Sequence, residues 1–584
     1  MRGRNHGRLI IESQAVPAAT DVSRTIPTLP QPGVLAGLVA GGVVGLIIGL
    51  QALAPQFIAG TGGKWIRPEN DYNAYLVAWN YYIQDVWRLP LFSLPLMGYP
   101  EGGSVLFNDA LPLAALPTKI ISRLTGSVVN PFGWWIFLTY ICQGVMSARV
   151  MQSVGVQSVW AAAVAAALAV VSTSFVMRMG HTALSSHFLL LWATAVHFFS
   201  LRQGRPRLVE STVLLAVTLL VNAYLFAMVF ALLVATLVAL WFRGQCGRRD
   251  IGRAAIGLTV VVAIGIVAGY GLVFTNPTTM KSEGFGKYSW NVATLLLPPD
   301  GVLGRLQGVT RDATQGQYEG EAYIGRGALF LLALALASAP RRVLAYLRQY
   351  WVWAVTLAAL AIYAASNRVY VGPVLLVSFD LPDFALSIGN YFRATGRFVW
   401  PLAYGLTLLP LACLCRWWRP IPAAVVAGLA VWLQLAEASP GIRYRREQTT
   451  QARQDLIDEP RIRMWLAEHQ RLWQYPSWDC GGLVGSNRKW PSDDSNRELQ
   501  LQRAAARAGV PTNSVYMSRA LKNCDAEMAW QEHPQLEDGT LYVLGRSTVE
   551  ASPVLTRLTS SDACVALDWG IVCSSAWARR QVRR

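Results

Sequence analysis

Residues 33–54, GVLAGLVAGGVVGLIIGLQALA, decide the fold class, because this stretch runs for 22 residues without a charged side chain. About 20 such residues in a helix cross the hydrocarbon core of a bilayer, whereas the apolar core of a secretory signal is usually about 7–15 residues long. The tripeptide Ala52-Leu53-Ala54 resembles a signal-peptidase site, but the length of the stretch favours a retained first membrane span. The polar residues 1–32 then form a cytoplasmic tail.

The whole chain has the composition of a membrane protein. Of its 584 residues 53% are hydrophobic and only 15% are charged, whereas about a quarter are charged in a typical soluble domain. Apolar runs fill residues 33–440, and residues 441–584 read like an ordinary soluble domain. The predicted fold is therefore an all-α polytopic membrane domain followed by a small C-terminal α/β domain.

About eleven membrane-spanning helices are predicted from windows of apolar residues. The predicted spans are 33–54, 132–148, 158–177, 183–201, 209–222, 223–242, 254–274, 327–340, 351–366, 398–415 and 420–438. Residues 209–242 could also form one long tilted helix instead of two helices broken around Asn222. Residues 111–124 are short and contain two prolines, which favours a re-entrant or surface helix over a span.

The placement of arginine predicts the orientation. With a break at Asn222, thirteen arginines fall in inward loops and one falls in the short outward turns, which puts the N-terminus in the cytoplasm. The inward arginines are Arg149, Arg202, Arg205, Arg207, Arg243, Arg248, Arg249, Arg253, Arg341, Arg342, Arg348, Arg416 and Arg419. This placement explains the net charge of +17 without nucleic acid, which we exclude as a partner. We expect a multi-pass protein of the bacterial inner membrane with residues 441–584 in the periplasm.

Three long segments, 55–131, 275–326 and 367–397, are then external, where the chemistry of a helical scaffold is usually placed. After Asp71, aromatic and apolar residues recur at helical spacing as far as Trp87, which predicts an interfacial helix that faces lipid headgroups. In the C-terminal domain we predict helices at 459–474 and 495–508. Strands are predicted at 541–544, 564–567 and 571–574.

Four of the eight cysteines fall in the C-terminal domain. None has the CxxC spacing of a zinc ribbon, and an even number in an exported domain favours disulfides over free thiols. We predict the pairs Cys564–Cys573, around a hairpin turn, and Cys480–Cys524. Four free thiols in a cytosolic domain are the alternative.

Two external carboxylates are candidate catalytic groups. Asp71 opens the first external loop, and Asp109, in LFNDALPL, lies where that loop returns to the membrane. Carboxylates at a bilayer surface can act as a general base or hold a divalent cation. The alternative for each is a structural role, as a cap of the interfacial helix for Asp71 and of the re-entrant helix for Asp109.

Basic residues beside the external loops are candidate substrate contacts. Arg393 and Arg397, in YFRATGRFVWP, lie just before a span, where guanidinium groups suit a phosphate or pyrophosphate. Lys287 could add charge at the same level. Simple anchoring to anionic lipid headgroups is the alternative.

His181 and His187, in RMGHTALSSHF, lie at the outer mouth between two spans, where ionisable groups are functional candidates. Polar packing is the alternative for both histidines. Glu319 lies in the segment 315–330, QGQYEGEAYIGRGALF, which is either a substrate-facing loop or a tight entry into the next helix.

These motifs occur in an order that resembles the bacterial membrane family named domain of unknown function 6311. The motifs are NDALPLAALPTK, RMGHTALSSHF, NAYLFAMV, GFGKYSWN, GQYEGEAYIGRG and RATGRFVWPLAY, with RIRMWLAEHQRLW and GVPTNSVYMSRAL in the C-terminal part. The family looks like a distant member of the GT-C superfamily of polytopic glycosyltransferases, which take a sugar from a polyprenyl-phosphate carrier outside the cytoplasm.

The resemblance implies roles for specific residues. Asp71 matches the acidic position early in the first external loop of GT-C enzymes, which would make it the general base or a metal-binding carboxylate. Arg393 or Arg397 would contact the carrier phosphate. No acidic doublet follows Asp71, so the resemblance leaves a divalent cation open.

The expected function is sugar transfer from a polyprenyl-phosphate-linked donor to an unidentified envelope glycan or protein acceptor. The alternatives are a transporter or flippase of a lipid-linked glycan and a non-enzymatic assembly protein of the envelope. A flippase would predict inverted repeats with interrupted helices at the membrane midplane, and no internal repeat is evident.

Overall fold

The computed structural model describes residues 32–62, 65, 70–272, 284–298, 312–451, 457, 459–481, 493–517 and 524–577. Most of these residues are helical. The helices of the first half are α1 Pro32–Ala52, α2 Pro55–Ile58, α3 Asn70–Gln84, α4 Pro112–Thr125, α5 Phe132–Ser153, α6 Val159–Val170, α7 Thr173–Val176, α8 Phe188–Gln203, α9 Leu208–Leu219, α10 Ala223–Phe242 and α11 Arg248–Ala268.

The second half adds helices of both the apolar and the C-terminal regions. They are α12 Arg326–Ser338, α13 Pro340–Gln349, α14 Trp351–Ala365, α15 Asp383–Gly389, α16 Trp400–Trp417, α17 Pro420–Thr450, α18 Glu459–Ala467, α19 Asp493–Ala508, α20 Asp525–Glu532, α21 Arg546–Glu550 and α22 Pro553–Thr559. Two short antiparallel hairpins occur outside the C-terminal region, β1 Ser93–Leu94 with β2 Gly103–Ser104 and β3 Arg368–Val371 with β4 Val374–Ser378.

Several helices have the length and apolar composition of membrane spans. In the described part of the chain these are α1, α10, α11, α16 with the turn before it, and α17, while α12 and α13 form a pair bent by 101°. Helices α6, α9 and α14 are apolar but shorter. The count of eleven spans therefore stays a prediction. The break before α10 is confirmed, because Asn222 caps this helix by accepting hydrogen bonds from the backbone of Tyr224 and Leu225.

The core of the apolar part is built around α5. This helix packs against α1, α6 and α8, and α8 in turn packs against α10. Helix α12 packs between α16 and α17, and α10 packs against α14. The amino ends of α10 and α16 lie on the same side of the molecule as the turn before α8.

The aromatic helix α3 does not face lipid headgroups, which corrects the interfacial helix predicted after Asp71. Tyr72, Tyr75 and Trp79 are buried, as are most of the other residues of this helix. One side packs in an aromatic cluster with Phe57, and α19 of the C-terminal region covers another side. Periodic aromatic residues fit a protein interior as well as a bilayer surface, so their spacing alone did not distinguish the two.

The C-terminal region contains a four-stranded mixed sheet in the order β5-β6-β8-β7. Its strands are β5 Arg471–Tyr475, β6 Thr540–Gly545, β7 Cys564–Leu567 and β8 Gly570–Cys573. The predicted helix 459–474 was wrong in its second half, because α18 ends at Ala467 and β5 follows. β5 pairs in parallel with β6, and this long-range pairing overrides the local helical pattern.

Candidate functional site

Asp71 lies in the first turn of α3, and its carboxylate contacts two other segments of the chain. The Tyr516 hydroxyl donates to Asp71 Oδ1 at 2.9 Å, and His181 Nδ1 lies 3.4 Å from Asp71 Oδ2. The side chain keeps 29% of its exposure, so an incoming group can still reach it.

His181 connects Asp71 to a second carboxylate. Its Nδ1 faces Asp71 and the Tyr75 hydroxyl, each at 3.4 Å, and its Nε2 lies 3.8 Å from Glu319 Oε1. An imidazole between two carboxylates can take or give a proton on either side. The three side chains form a continuous polar path from the partly exposed Asp71 to the buried Glu319.

Glu319 joins two guanidinium groups. Its Oε2 lies 2.5 Å from Arg178 Nη1 and 3.0 Å from Arg397 Nη2, and all three side chains are almost entirely buried. Burial alone would raise the pKa of Glu319, but Arg397 and Arg178 together hold this pKa well below its usual value. The carboxylate is therefore ionised. Each guanidinium has N–H groups beyond those that contact Glu319, and Nη2 of Arg178 donates to the Tyr318 carbonyl at 2.7 Å.

The local backbone explains how these three charged residues meet. Arg178, Glu319 and Arg397 each lie on a short 3₁₀ turn. Gly320 and Gly396 let two of these turns touch, since a Cβ built on Gly396 would lie 2.7 Å from the Cα of Gly320. Any larger residue at either glycine would separate Glu319 from Arg397.

Helices α10 and α16 begin at the same place. The Arg397 guanidinium lies over the ring of Tyr224, 4.4 Å from its centroid, and Tyr224 is in the first turn of α10. Arg397 itself comes three residues before α16. The amino ends of both helices, with their partial positive charge, therefore lie beside Arg397 and Glu319. We call the group of six side chains described so far the cluster: Asp71, His181, Tyr516, Glu319, Arg178 and Arg397.

Asp109 lies next to this cluster without a hydrogen bond to it. Asn222 Nδ2 donates to Asp109 Oδ1 at 3.0 Å, and the Asp109 backbone is left-handed, with a φ of 49°. Burial raises the pKa of Asp109, whereas the positive charges of Arg397 and His181 act to lower it. The structure therefore ties Asp109 to the start of α10 and within electrostatic range of Arg397.

The other predicted substrate contacts lie apart from Asp71. His187 is buried, with its Nδ1 2.8 Å from the Tyr404 hydroxyl and its ring 4.3 Å from that of Trp400. Lys287 is exposed and lines a separate cavity of about 470 Å³ with Arg368 and Asp380.

Arg393 occupies an intermediate position. Its guanidinium lies 5.7 Å from the centre of the Tyr288 ring and acts to lower the pKa of Tyr516, whose dominant shift is upward through burial. Arg393 is therefore within electrostatic range of Tyr516, the partner of Asp71.

Two residues of the cluster were missed by the sequence reasoning. Arg178 could have been identified from the sequence. It is the one arginine in the short turns predicted to face outward, and the positive-inside rule does not account for an arginine there. Tyr516 carried none, since it lies 445 residues after Asp71.

Contacts from both the loop 55–131 and the C-terminal region hold Tyr516 in place. Asn108 Nδ2 donates to the Tyr516 carbonyl at 3.0 Å, and the Tyr516 ring packs 5.0 Å from that of Trp478. Cys480 and Cys524 form a disulfide that closes the segment containing Tyr516. Cys564 and Cys573 form the second disulfide across β7 and β8.

A metal ion has no evident cage in the described part of the chain, where no group of three or more His, Cys, Asp or Glu has suitable geometry. Asp71, His181 and Glu319 are adjacent, but arginines rather than open space surround Glu319. The residues described place carboxylates beside an imidazole and two guanidinium groups, an arrangement that could move a proton or bind an anion, and the divalent cation stays a prediction.

Comparisons with solved structures found distant similarities. An oligosaccharyltransferase of Archaeoglobus fulgidus is 12% identical with a TM-score of 0.41, covering 87% of this chain and 68% of its own. ArnT from Cupriavidus metallidurans bound to undecaprenyl phosphate is 14% identical with a TM-score of 0.37. The match covers 92% of this chain and 97% of the ArnT chain. The arabinofuranosyltransferase AftD from Mycobacteria is 15% identical with a TM-score of 0.45. The match covers 88% of this chain and 37% of the AftD chain.

A comparison with curated protein sequences found no match. Family models matched both parts of the chain. The model described as DUF6311 C-terminal domain matches residues 461–575, which include Tyr516. The model described as Domain of unknown function (DUF6311) matches residues 42–439, which include Asp71, His181, Glu319 and Arg397. The chain therefore belongs to the DUF6311 family.

Proposed function

We propose that this protein is a membrane glycosyltransferase that moves a sugar from a polyprenyl-phosphate donor to a hydroxyl of an envelope acceptor at the outer face. One observation carries the proposal. His181 lies between the partly exposed carboxylate of Asp71 and Glu319, and Glu319 holds the two buried guanidinium groups. A proton acceptor and cations for a phosphate are the two requirements of this reaction.

Asp71 is the proposed general base. Its Oδ1 already accepts a hydrogen bond from a hydroxyl, that of Tyr516, at 2.9 Å. An acceptor hydroxyl in the same place would pass its proton to Asp71 while its oxygen forms the new bond to the anomeric carbon of the sugar. His181, on Oδ2, would orient the carboxylate and stabilise its charge before the transfer.

The leaving group is the carrier phosphate. As the bond between the anomeric carbon and the phosphate oxygen breaks, the electron pair stays on that oxygen and negative charge develops there. Arg397 and Arg178, with the amino ends of α10 and α16, would supply positive charge at this point, and the charge of Arg393 acts on the nearby Tyr516. No redox partner is needed, since the reaction exchanges one C–O bond for another.

The test compares cells that express the wild type, Asp71→Asn or the control Asp85→Asn, with lipid-linked sugars and surface glycans measured by mass spectrometry. Asp85 lies one residue beyond α3, where its largely buried carboxylate pairs with Arg88 and makes no contact with Asp71. We expect Asp71→Asn to lose about a hundredfold or more of the transfer and to accumulate the donor, because general-base catalysis contributes about that much.

Either of two results would reject the proposal. Asp71→Asn could leave the glycans unchanged while deletion of the gene alters them, which would return Asp71 to a structural role. Alternatively, donor lipid could fail to appear at the outer leaflet in the deletion strain, which would favour a flippase.

A further inference from the structure

A cavity of about 250 Å³ lies at the opposite end of the helices from Asp71. It is formed by the last turns of α8 and α10 and by the junction of α13 with α14. In the orientation predicted from arginine placement this end faces the cytoplasm. The cavity is therefore separated from the proposed transfer site by the length of the helices.

The lining of this cavity combines cations with aromatic walls. Arg243 and Arg348 line it together with Tyr350 and Trp351, and none of the described residues around it is acidic. The Arg243 guanidinium donates to the Gln349 carbonyl at 3.0 Å, which fixes it at the rim with donors to spare. Two uncompensated cations at one rim suit an anionic group.

Two buried ring nitrogens of the lining have no partner in the described structure. His197 is fully buried and donates from Nδ1 to the Thr236 hydroxyl at 3.0 Å, since that hydroxyl donates to the Leu232 carbonyl, and the His197 Nε2 is an acceptor without a hydrogen bond. Trp353 is 5% exposed, and its indole Nε1–H has no acceptor. A buried donor without an acceptor costs about 1–3 kcal/mol, so a ligand oxygen beside the indole N–H of Trp353 would be favoured.

The surroundings indicate that the anion carries an acyl chain. Phe242 and Trp351 are 65% and 46% exposed with their rings 5.2 Å apart, as in the aromatic belt of a membrane interface. Helix α13, which turns away from α12 by 101°, presents exposed Leu344 and Leu347 beside its arginines. This is the pattern of a helix that lies along a leaflet surface.

We infer that this cavity is a binding site for an anionic phospholipid of the cytoplasmic leaflet. Arg243 and Arg348 would hold the phosphate, the Trp353 indole would donate to one of its oxygens, and the exposed aromatic residues would contact the acyl chains. Basic pockets between membrane helices on the cytoplasmic side are known to hold such headgroups. The inference does not depend on the proposed transferase activity.

Native mass spectrometry of the full-length protein in detergent tests the inference, with phosphatidylglycerol, phosphatidylcholine or inorganic phosphate as the probe. We expect the wild type to retain phosphatidylglycerol in preference to phosphatidylcholine. Arg243→Gln with Arg348→Gln should weaken this binding on the order of 30-fold, the combined effect of two surface guanidinium contacts. The control variant, Arg341→Gln with Arg342→Gln, also removes two positive charges, but from residues of α13 that do not line the cavity. It should weaken phosphatidylglycerol binding far less.

A conservative variant guards against misfolding. Trp353→Phe keeps an aromatic side chain but removes the unpartnered donor and part of the packed volume, so it should weaken phosphatidylglycerol binding several-fold with a modest fall in melting temperature. Equal retention of the two lipids, or an equal loss in the cavity and control variants, would overturn the inference. Displacement of the lipid by inorganic phosphate would also overturn it, because the site would then be one for a soluble anion.

Discussion

At the scale of single residues, the cluster shows one carboxylate serving two buried arginines. Arg178 and Arg397 both contact Glu319 Oε2, and His181 reaches Oε1. Each guanidinium would repel the other without this carboxylate, so Glu319 is first a structural requirement for bringing two cations together. The proposed phosphate contact uses the N–H groups that remain, which explains how a buried acidic residue can be compatible with an anionic substrate.

Asp109 gives a prediction about pH. Because burial raises its pKa, the folded protein holds this proton more tightly than the unfolded chain does. The cost to stability is absent below the unfolded pKa and grows as pH rises through the folded pKa. Asp109→Asn removes this cost, so its melting temperature should exceed that of the wild type at about pH 7 and approach it at about pH 4.

Thermal unfolding in detergent across this pH range measures the difference. Asp568→Asn, which removes an exposed carboxylate from the turn between β7 and β8, is the control and should follow the wild type throughout. A constant gap between Asp109→Asn and the wild type at every pH would show that the pKa of Asp109 is the same in the folded and the unfolded protein.

Sequence reasoning identified most of the cluster one residue at a time. Asp71, His181, Glu319 and Arg397 were all candidates because charged groups near a membrane are costly and need a reason. Their mutual contacts could not be predicted, since they depend on the touching of two glycine turns far apart in the chain. Polar packing, the alternative for both histidines, describes His187, which is held by Tyr404 and Trp400.

At the scale of helices, α1 packs against α5 through a row of glycines. Gly37, Gly41, Gly45 and Gly49 recur every four residues on one face of α1. A Cβ on Gly41 would overlap the carbonyl of Gly144, and a Cβ on Gly45 would overlap that of Tyr140. Small residues at this spacing let membrane helices approach closely, which is why α5 can sit at the centre of the core.

This contact gives a prediction for helix packing. Gly45→Ala should lower the melting temperature, because the helices must separate, at a cost of about 1–3 kcal/mol. Gly33→Ala is the matched control, since a Cβ at Gly33 meets no atom within 4 Å and alanine favours a helix. Thermal unfolding and size-exclusion chromatography in detergent measure both, and equal melting temperatures would contradict close packing of α1 on α5.

Apolar length predicted the existence of the long helices, but not their surroundings. Helix α1 and helix α10 appear where continuous apolar runs place them. The pattern in α3 was correct as a helix and wrong as an interface, because its burial depends on α19, more than 400 residues later in the chain. Likewise, β5 forms only where β6 lies beside it, so no local signal at 471–475 could separate strand from helix.

At the scale of the whole molecule, the C-terminal region is attached to the first external loop by backbone and side-chain contacts. Asn73 donates to the Leu499 carbonyl at 2.8 Å and Tyr81 to the Val510 carbonyl at 2.7 Å. The backbone of Thr512 both donates to Leu96 and accepts from Tyr99. The region that we predicted as a separate external domain thus contributes directly to the surroundings of Asp71.

The two disulfides should differ in their effect on this attachment. Cys480–Cys524 spans 44 residues that include Tyr516, and Cys564–Cys573 spans 9. Loop entropy gives about 4 kcal/mol of stabilisation for the first and about 2.6 kcal/mol for the second. Replacing the first pair by serine should therefore loosen the segment that holds Tyr516.

Hydrogen–deuterium exchange of the purified protein measures this directly. We expect faster exchange at residues 509–517 in the Cys480→Ser, Cys524→Ser variant, and little change there in the Cys564→Ser, Cys573→Ser variant. Unchanged protection of this segment in both variants would show that contacts with the first loop hold Tyr516 without help from the disulfide.

The distance along the chain between Asp71 and Tyr516 has a consequence for biosynthesis. Residues 55–131 are synthesised long before the segment that follows α19, so a nascent chain carries α3 with its α19-facing side uncovered and Asp71 without its tyrosine partner. A stalled or truncated product would therefore leave one side of α3 uncovered. Only synthesis of the last part of the chain covers that side and supplies the tyrosine that completes the cluster.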